Sequence, residues 1–128
     1  MEAMSSPLLI VDAANVVGSV PDGWWRDRRG AAERLRDGLV RYAAEGVPGV
    51  LPGPLEVVLV VEGRARGVEP VEGVRVVAAP GGGDDTIVEL ARAARGRRCV
   101  VVTADRELRR RVAEHGAGHA GPRTVRPV

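Results

Sequence analysis

The sequence predicts an α/β fold of three layers, with helices on both sides of a mostly parallel central sheet. Two observations lead there. Short runs of Val, Ile and Leu alternate with longer stretches whose apolar residues recur at helical spacing, the order expected of strand–helix–strand units. Three segments also carry aspartates where an apolar run ends: Leu8-Leu9-Ile10-Val11-Asp12-Ala13-Ala14-Asn15, Gly83-Asp84-Asp85-Thr86-Ile87 and Cys99-Val100-Val101-Val102-Thr103-Ala104-Asp105-Arg106. Parallel strands point one way, so residues just past their carboxyl ends meet in one crevice, where open α/β sheets bind ligands.

The elements follow in order. Residues 8–11 read as a strand buried on both faces. Residues 15–23, with Gly18, Pro21 and Gly23, read as a loop. From about 26 to 45 the pattern is helical, with Ala32, Leu35, Leu39 and Tyr42 on one face and Gly46 as the C-cap. Residues 46–54, with three Gly and three Pro, predict neither helix nor regular strand. Residues 55–62 are the strongest strand signal, and 74–78 a short one. Asp84 opens a helix to about Arg95, with Ile87, Leu90, Ala91 and Ala94 inward. Residues 98–102 form a strand, and Asp105 opens a helix that ends near Gly116. A last short strand is expected around Thr124 and Val125.

A chain of 128 residues, 45% hydrophobic and 28% charged, fits one soluble domain over 1–128. No apolar run approaches the length that crosses a bilayer. Residues 1–7 lack the basic start of a signal peptide, and one cysteine, Cys99, cannot form an internal disulfide. A reducing, cytoplasmic setting is therefore expected. The net charge of +2 is uneven: from Arg95 onward nine Arg face Asp105, Glu107 and Glu114, while ten Arg and fourteen acids precede them. A basic third beside an acidic crevice suits a polyanion. The absence of Lys and Phe from a Gly-, Ala-, Val- and Arg-rich chain gives a second reading, a codon bias that supplies Arg without regard to nucleic acid.

Carboxylates brought together repel unless a cation sits between them. A hard divalent ion such as Mg²⁺ takes oxygen ligands and serves phosphate chemistry. Asp12, Asp84, Asp85 and Asp105 are the candidate metal ligands, and Asn15 and Thr103 the polar groups that could support them or touch a phosphate. Each has a structural reading beside it. Asp12 and Asn15 could organise the turn after the first strand. Asp84 could cap a helix whose first turn favours Asp85, and Asp105 could cap the next, with Thr103 beside it. Asp84 shares the helix face of Ile87, and Asp85 points more sideways. Glu62 is either a fourth acid at this rim or the solvent-exposed end of its strand, and the second reading is preferred.

Trp24 and Trp25, with Arg26, Arg28 and Arg29, could stack bases and hold phosphates, and Arg109 and Arg110 along the basic third could bind a polyanion. In a chain so poor in aromatics one Trp is expected to pack inside, the other to stand exposed near the acidic rim. His115 and His119 are separated by Gly116 and Gly118 and have no Cys partner, which argues against zinc. No Ser-His-Asp set or Gly-x-Ser-x-Gly elbow is present.

Together, Ile10-Val11-Asp12-x-x-Asn15-Val16-Val17-Gly18, Arg34-Leu35, Val60-Val61-Glu62-Gly63, Asp84-Asp85-x-Ile87 and Val101-Val102-Thr103-x-Asp105-Arg106 resemble NYN domains of the PIN-like nuclease superfamily, the YacP-type branch most closely. The resemblance runs from Leu8 to about Gly116. It implies a PIN-like (Rossmann-like) fold and Mg²⁺- or Mn²⁺-dependent cleavage of phosphodiester bonds, usually in RNA. It places metal ligands at Asp12, Asp84 or Asp85, and Asp105, with Asn15 and Thr103 in support. Two departures stand out: Ala13-Ala14 replaces the family's usual Gly-Tyr, and Glu62 replaces an aspartate. Ribonuclease is the leading reading. A nucleotide phosphohydrolase and a non-catalytic RNA-binding module of the same fold are the alternatives.

Overall fold

The computed structural model describes residues 6–126. Five parallel strands form the central sheet in the order β5-β4-β1-β6-β7. They are β1 (Leu8–Asp12), β4 (Glu56–Val61), β5 (Val74–Ala78), β6 (Cys99–Val102) and β7 (Gly118–Ala120). A two-stranded antiparallel ribbon, β2 (Gly46–Val47) and β3 (Leu51–Pro52), stands apart. The α-helices are α1 (Ala13–Gly18), α2 (Arg28–Glu45), α3 (Gly83–Ala93) and α4 (Arg106–Ala113).

Strand alternation sorts the core into two halves. Leu9 and Val11 of β1, with Val57, Leu59 and Val61 of β4, face α1 and α2, where Val16, Leu35, Leu39 and Tyr42 meet them. Leu8, Ile10, Val58, Val60 and Val101 face the other way and pack on Ile87 and Ala91 of α3 and Leu108 and Val112 of α4. Leu39, Ile87 and Leu108 are fully buried. Side chains of that size stabilise by about 1.5–3 kcal/mol each when removed from water. This is the three-layer arrangement expected from the sequence. The chain adds β4 and β5 on one side of β1, then returns to add β6 and β7 on the other. The order therefore reverses between β1 and β6, and their carboxyl ends flank the switch point.

Three local expectations change. The segment read as a loop from residue 15 begins inside a helix: Asp12 caps α1, and burial of Ala13 and Val16 holds this short element on the sheet. Residues 46–54 do hold regular pairing, in the β2–β3 ribbon. Gly46 makes it possible, with φ of 76° and Gly53 so near that a Cβ would lie 2.3 Å from its backbone N. The last strand is β7 at Gly118–Ala120, not Thr124 and Val125. Thr124 ends a 3-10 turn, and Val125 plugs the core on the α1–α2 side. Among the described residues, no helix is long and apolar enough to cross a membrane.

Candidate active site

The site begins with a buried carboxylate at the switch point. Asp12 ends β1 at 5% exposure. Its Oδ2 accepts from Thr103 Oγ1 at 3.0 Å, across from the neighbouring strand, and its Oδ1 accepts from Asn15 N at 3.4 Å. Burial pushes its pKa up from 3.8 to about 6; the two hydrogen bonds pull it down, and the charges of Asp84 and Glu62 push it further up. Asp12 thus caps a helix, where the structural reading had it organise a turn. Yet a lone cap has no need of a buried charge that other carboxylates oppose.

Thr103 is fully buried and joins both sides of the switch point. Besides donating to Asp12, its Oγ1 accepts from Asp105 N at 3.2 Å, and its carbonyl accepts from Arg109 Nε at 2.9 Å. Asp105 caps α4 through Leu108 N at 2.9 Å. Asn15 Oδ1 accepts from Ala104 N at 2.8 Å, which ties α1 to the loop after β6. Among the described residues, Asn15 Nδ2 has no hydrogen-bond partner.

Glu62 belongs to this rim, contrary to the preferred sequence reading. It follows β4, and its Oε2 accepts from Gly83 N at 2.5 Å, so it fastens the end of β4 to the start of α3. A Cβ on Gly83 would stand 2.6 Å from that oxygen, so a side chain there would displace Glu62. The helix cap is Gly82, which leaves Asp84 and Asp85 in the first turn, where the helix dipole favours them. The two then part. Asp85 is exposed and pairs with Arg111 at 2.8 Å. Asp84 is exposed too, but partial desolvation of its carboxyl raises its pKa, as do Asp105 and then Glu62, with Arg111 opposing and Asp85 adding least. Asp12, Glu62, Asp84 and Asp105 thus share one electrostatic neighbourhood, and Asp85 stands at its border.

The donors are all carboxylate oxygens, the type a hard cation takes. Among the described residues, no three acidic, His or Cys side chains converge closely enough to hold an ion as they stand. Mg²⁺ is commonly held by one or two carboxylates, several waters and the substrate's phosphates. The rim fits that mode in donor type and in surplus negative charge.

Beside the rim lies a cleft of about 280 Å³ between α1 and α2, bordered by Ala13, Ala14, Val17, Trp24, Arg28 and Glu62. Trp24 is half-buried and Trp25 is 53% exposed, their rings edge to face at 6.0 Å. One Trp is exposed, as expected, but neither is fully buried, and the more sheltered one lines the cleft. Arg26 stands over Trp25 at 5.8 Å and Arg28 over Trp24 at 5.2 Å. The basic third is more occupied than its sequence suggests. Arg110 is clasped by Glu107 and Glu114 of its own helix, Arg111 by Asp85, and Arg109 by the Thr103 carbonyl.

The structure is similar to two crystal structures of Rae1 (YacP) from Bacillus subtilis. One, the W164L mutant, superposes with a TM-score of 0.70 at 19% identity, over 93% of this chain and 72% of that one. The other gives 0.69 at 21% identity, over 91% and 70%. The fold is YacP-like. No family model and no curated protein sequence matches the chain. The likeness to Rae1 therefore rests on architecture, and it coincides with the branch that the motifs from Asp12 to Arg106 resemble.

Proposed function

We propose that this chain is a Mg²⁺- or Mn²⁺-dependent ribonuclease that cleaves phosphodiester bonds at the carboxylate rim. The observation that carries the reading is Asp12: buried at the switch point, bonded to Thr103 from the neighbouring strand, and opposed by the charges of Asp84 and Glu62. Such a group is held against its own electrostatic preference, which is common at functional sites. The fold shared with Rae1 (YacP) and the motif resemblance to NYN nucleases support the same reading.

Asp12, Asp84 and Asp105 would hold the ion, with Glu62 beside them and Asp85 the outermost. A divalent cation bound there supplies Lewis acidity toward a phosphoryl oxygen and neutralises the rim. The residues do the rest. Thr103 fixes the Asp12 carboxylate and, through Asp105 N, the start of α4. Asn15 holds the loop at Ala104 and keeps Nδ2 for a phosphate oxygen. RNA is the proposed partner, gripped through Trp24, Trp25, Arg26 and Arg28 more than through Arg109 and Arg110, whose guanidinium groups are already engaged.

That engagement favours one second reading, a nucleotide phosphohydrolase, which needs less grip on a polymer. The test is incubation with labelled single-stranded RNA, single-stranded DNA and nucleoside phosphates, in Mn²⁺ or in EDTA. RNA cleavage that EDTA stops is the expected result. Phosphate release from nucleotides with RNA intact would move the assignment to the second reading, and inertness toward all three would overturn both.

A further inference from the structure

We propose that the cleft between α1 and α2 is a nucleobase subsite, which seats one unstacked base of a single-stranded RNA beside the carboxylate rim; this rests on the ribonuclease reading. The cleft offers what a base recognises. Trp24 supplies an aromatic face, and Arg28 a planar cation over the same ring at 5.2 Å. Bases stack on both kinds of surface. Among the described residues, no acidic side chain pairs with Arg28, unlike Arg110 and Arg111. The α1 side chains that line the cleft, Ala13, Ala14 and Val17, are small and apolar.

The ring is held in place before any ligand arrives. Trp24 Cζ2 lies at ordinary van der Waals distance, 3.6 Å, from where a Cβ on Gly18 would stand, so the indole rests against the end of α1, and Trp25 meets it edge-on. A fixed platform loses little entropy on binding. At about 280 Å³ the cleft falls below the roughly 300–1,000 Å³ of pockets for drug-sized ligands, which suits one ring system. Glu62 fixes its distance from the chemistry. It borders the cleft, and its charge acts on Asp12 and Asp84, so a base seated there carries its own or the adjoining phosphate to the rim.

The test measures binding in EDTA, where the proposed cleavage is stopped, using labelled ribotetranucleotides with each base removed in turn. Wild-type protein should lose about tenfold in affinity when one particular base is missing and about twofold or less at the others. Trp24→Ala should bind the intact RNA about tenfold more weakly and lose that position dependence, and Trp24→Phe should restore most of both. Ala14→Leu fills the cleft from an exposed helix position without removing a packed group; it should act like Trp24→Ala, so misfolding cannot imitate the result. No measurable binding, equal effects at every position, or position dependence that survives both Trp24→Ala and Ala14→Leu would overturn the subsite. A protein that shows the dependence yet does not cut RNA in Mn²⁺ keeps the subsite and loses the ribonuclease reading. One that cuts RNA without the dependence does the reverse.

Discussion

Replacing Asp12 with Asn should lower the proposed Mn²⁺-dependent RNA cleavage by roughly two orders of magnitude or more, because the rim would lose its most sheltered oxygen donor. The metal-free protein should become more stable at the same time. In the folded state the Asp12 carboxyl titrates at about 6, against 3.8 for an unperturbed aspartate. The folded protein thus binds this proton more firmly than the unfolded chain does. The cost of ionising it is absent below about pH 4, grows as pH rises, and is complete above about pH 6. It amounts to about 3 kcal/mol at most, and loss of a charge-assisted hydrogen bond in the variant offsets part of it. Melting curves in EDTA at pH 5 and pH 8 should show wild type losing stability at the higher pH and Asp12→Asn losing less. Asp105→Asn separates catalysis from capping. Asn caps a helix about as well as Asp, so α4 should stay intact while cleavage falls. Full activity in both variants would leave the two aspartates as caps and nothing more.

Thr103→Val carries the second large effect. The exchange nearly conserves shape but removes the hydroxyl that donates to Asp12 Oδ2 and accepts from Asp105 N. A buried carboxylate left short of a donor costs about 1–3 kcal/mol, and the Asp12 pKa moves above its present value of about 6. Stability should fall more at pH 8 than at pH 5, and the acid limb of the cleavage–pH profile should shift upward. Thr103→Ser keeps the hydroxyl and should restore the profile, even if the lost methyl costs some stability. Equal profiles for the Val and Ser variants would mean that Thr103 acts through its packing alone.

Much of this was legible from the chain. Residues buried on both sheet faces leave unbroken apolar runs, which is why β1, β4 and β6 stand out, and why the aspartates at the end of β1 and just beyond β6 can be placed at one edge. Glu62 carries the same signal, an acid directly after a buried run, but an exposed strand end accounts for such an acid equally well. Its bond to Gly83 depends on how α3 docks, which no local pattern encodes. β7 went unseen because two of its three residues are exposed, so it lacks any apolar run. α1 is hidden by its length: six residues show less than two turns of periodicity, and the structural reading of Asp12, a turn organiser, leaves out its role as a helix cap. Charge counting found the basic third but not its use. The spacing of Glu107, Arg110 and Glu114 could have shown their mutual pairing. The bonds of Arg111 to Asp85 and Arg109 to Thr103 join separate elements and become visible only when the chain is folded.

The proposed divalent-cation centre is the rim formed by Asp12, Glu62, Asp84 and Asp105. A crystal soaked in Mn²⁺ and measured for anomalous scattering tests it most directly. The expected result is a peak against the Asp12 carboxylate and at least one of the other three, lost in crystals of Asp12→Asn. A wild-type crystal with no peak at the rim, or with Mn²⁺ bound only elsewhere, would contradict it.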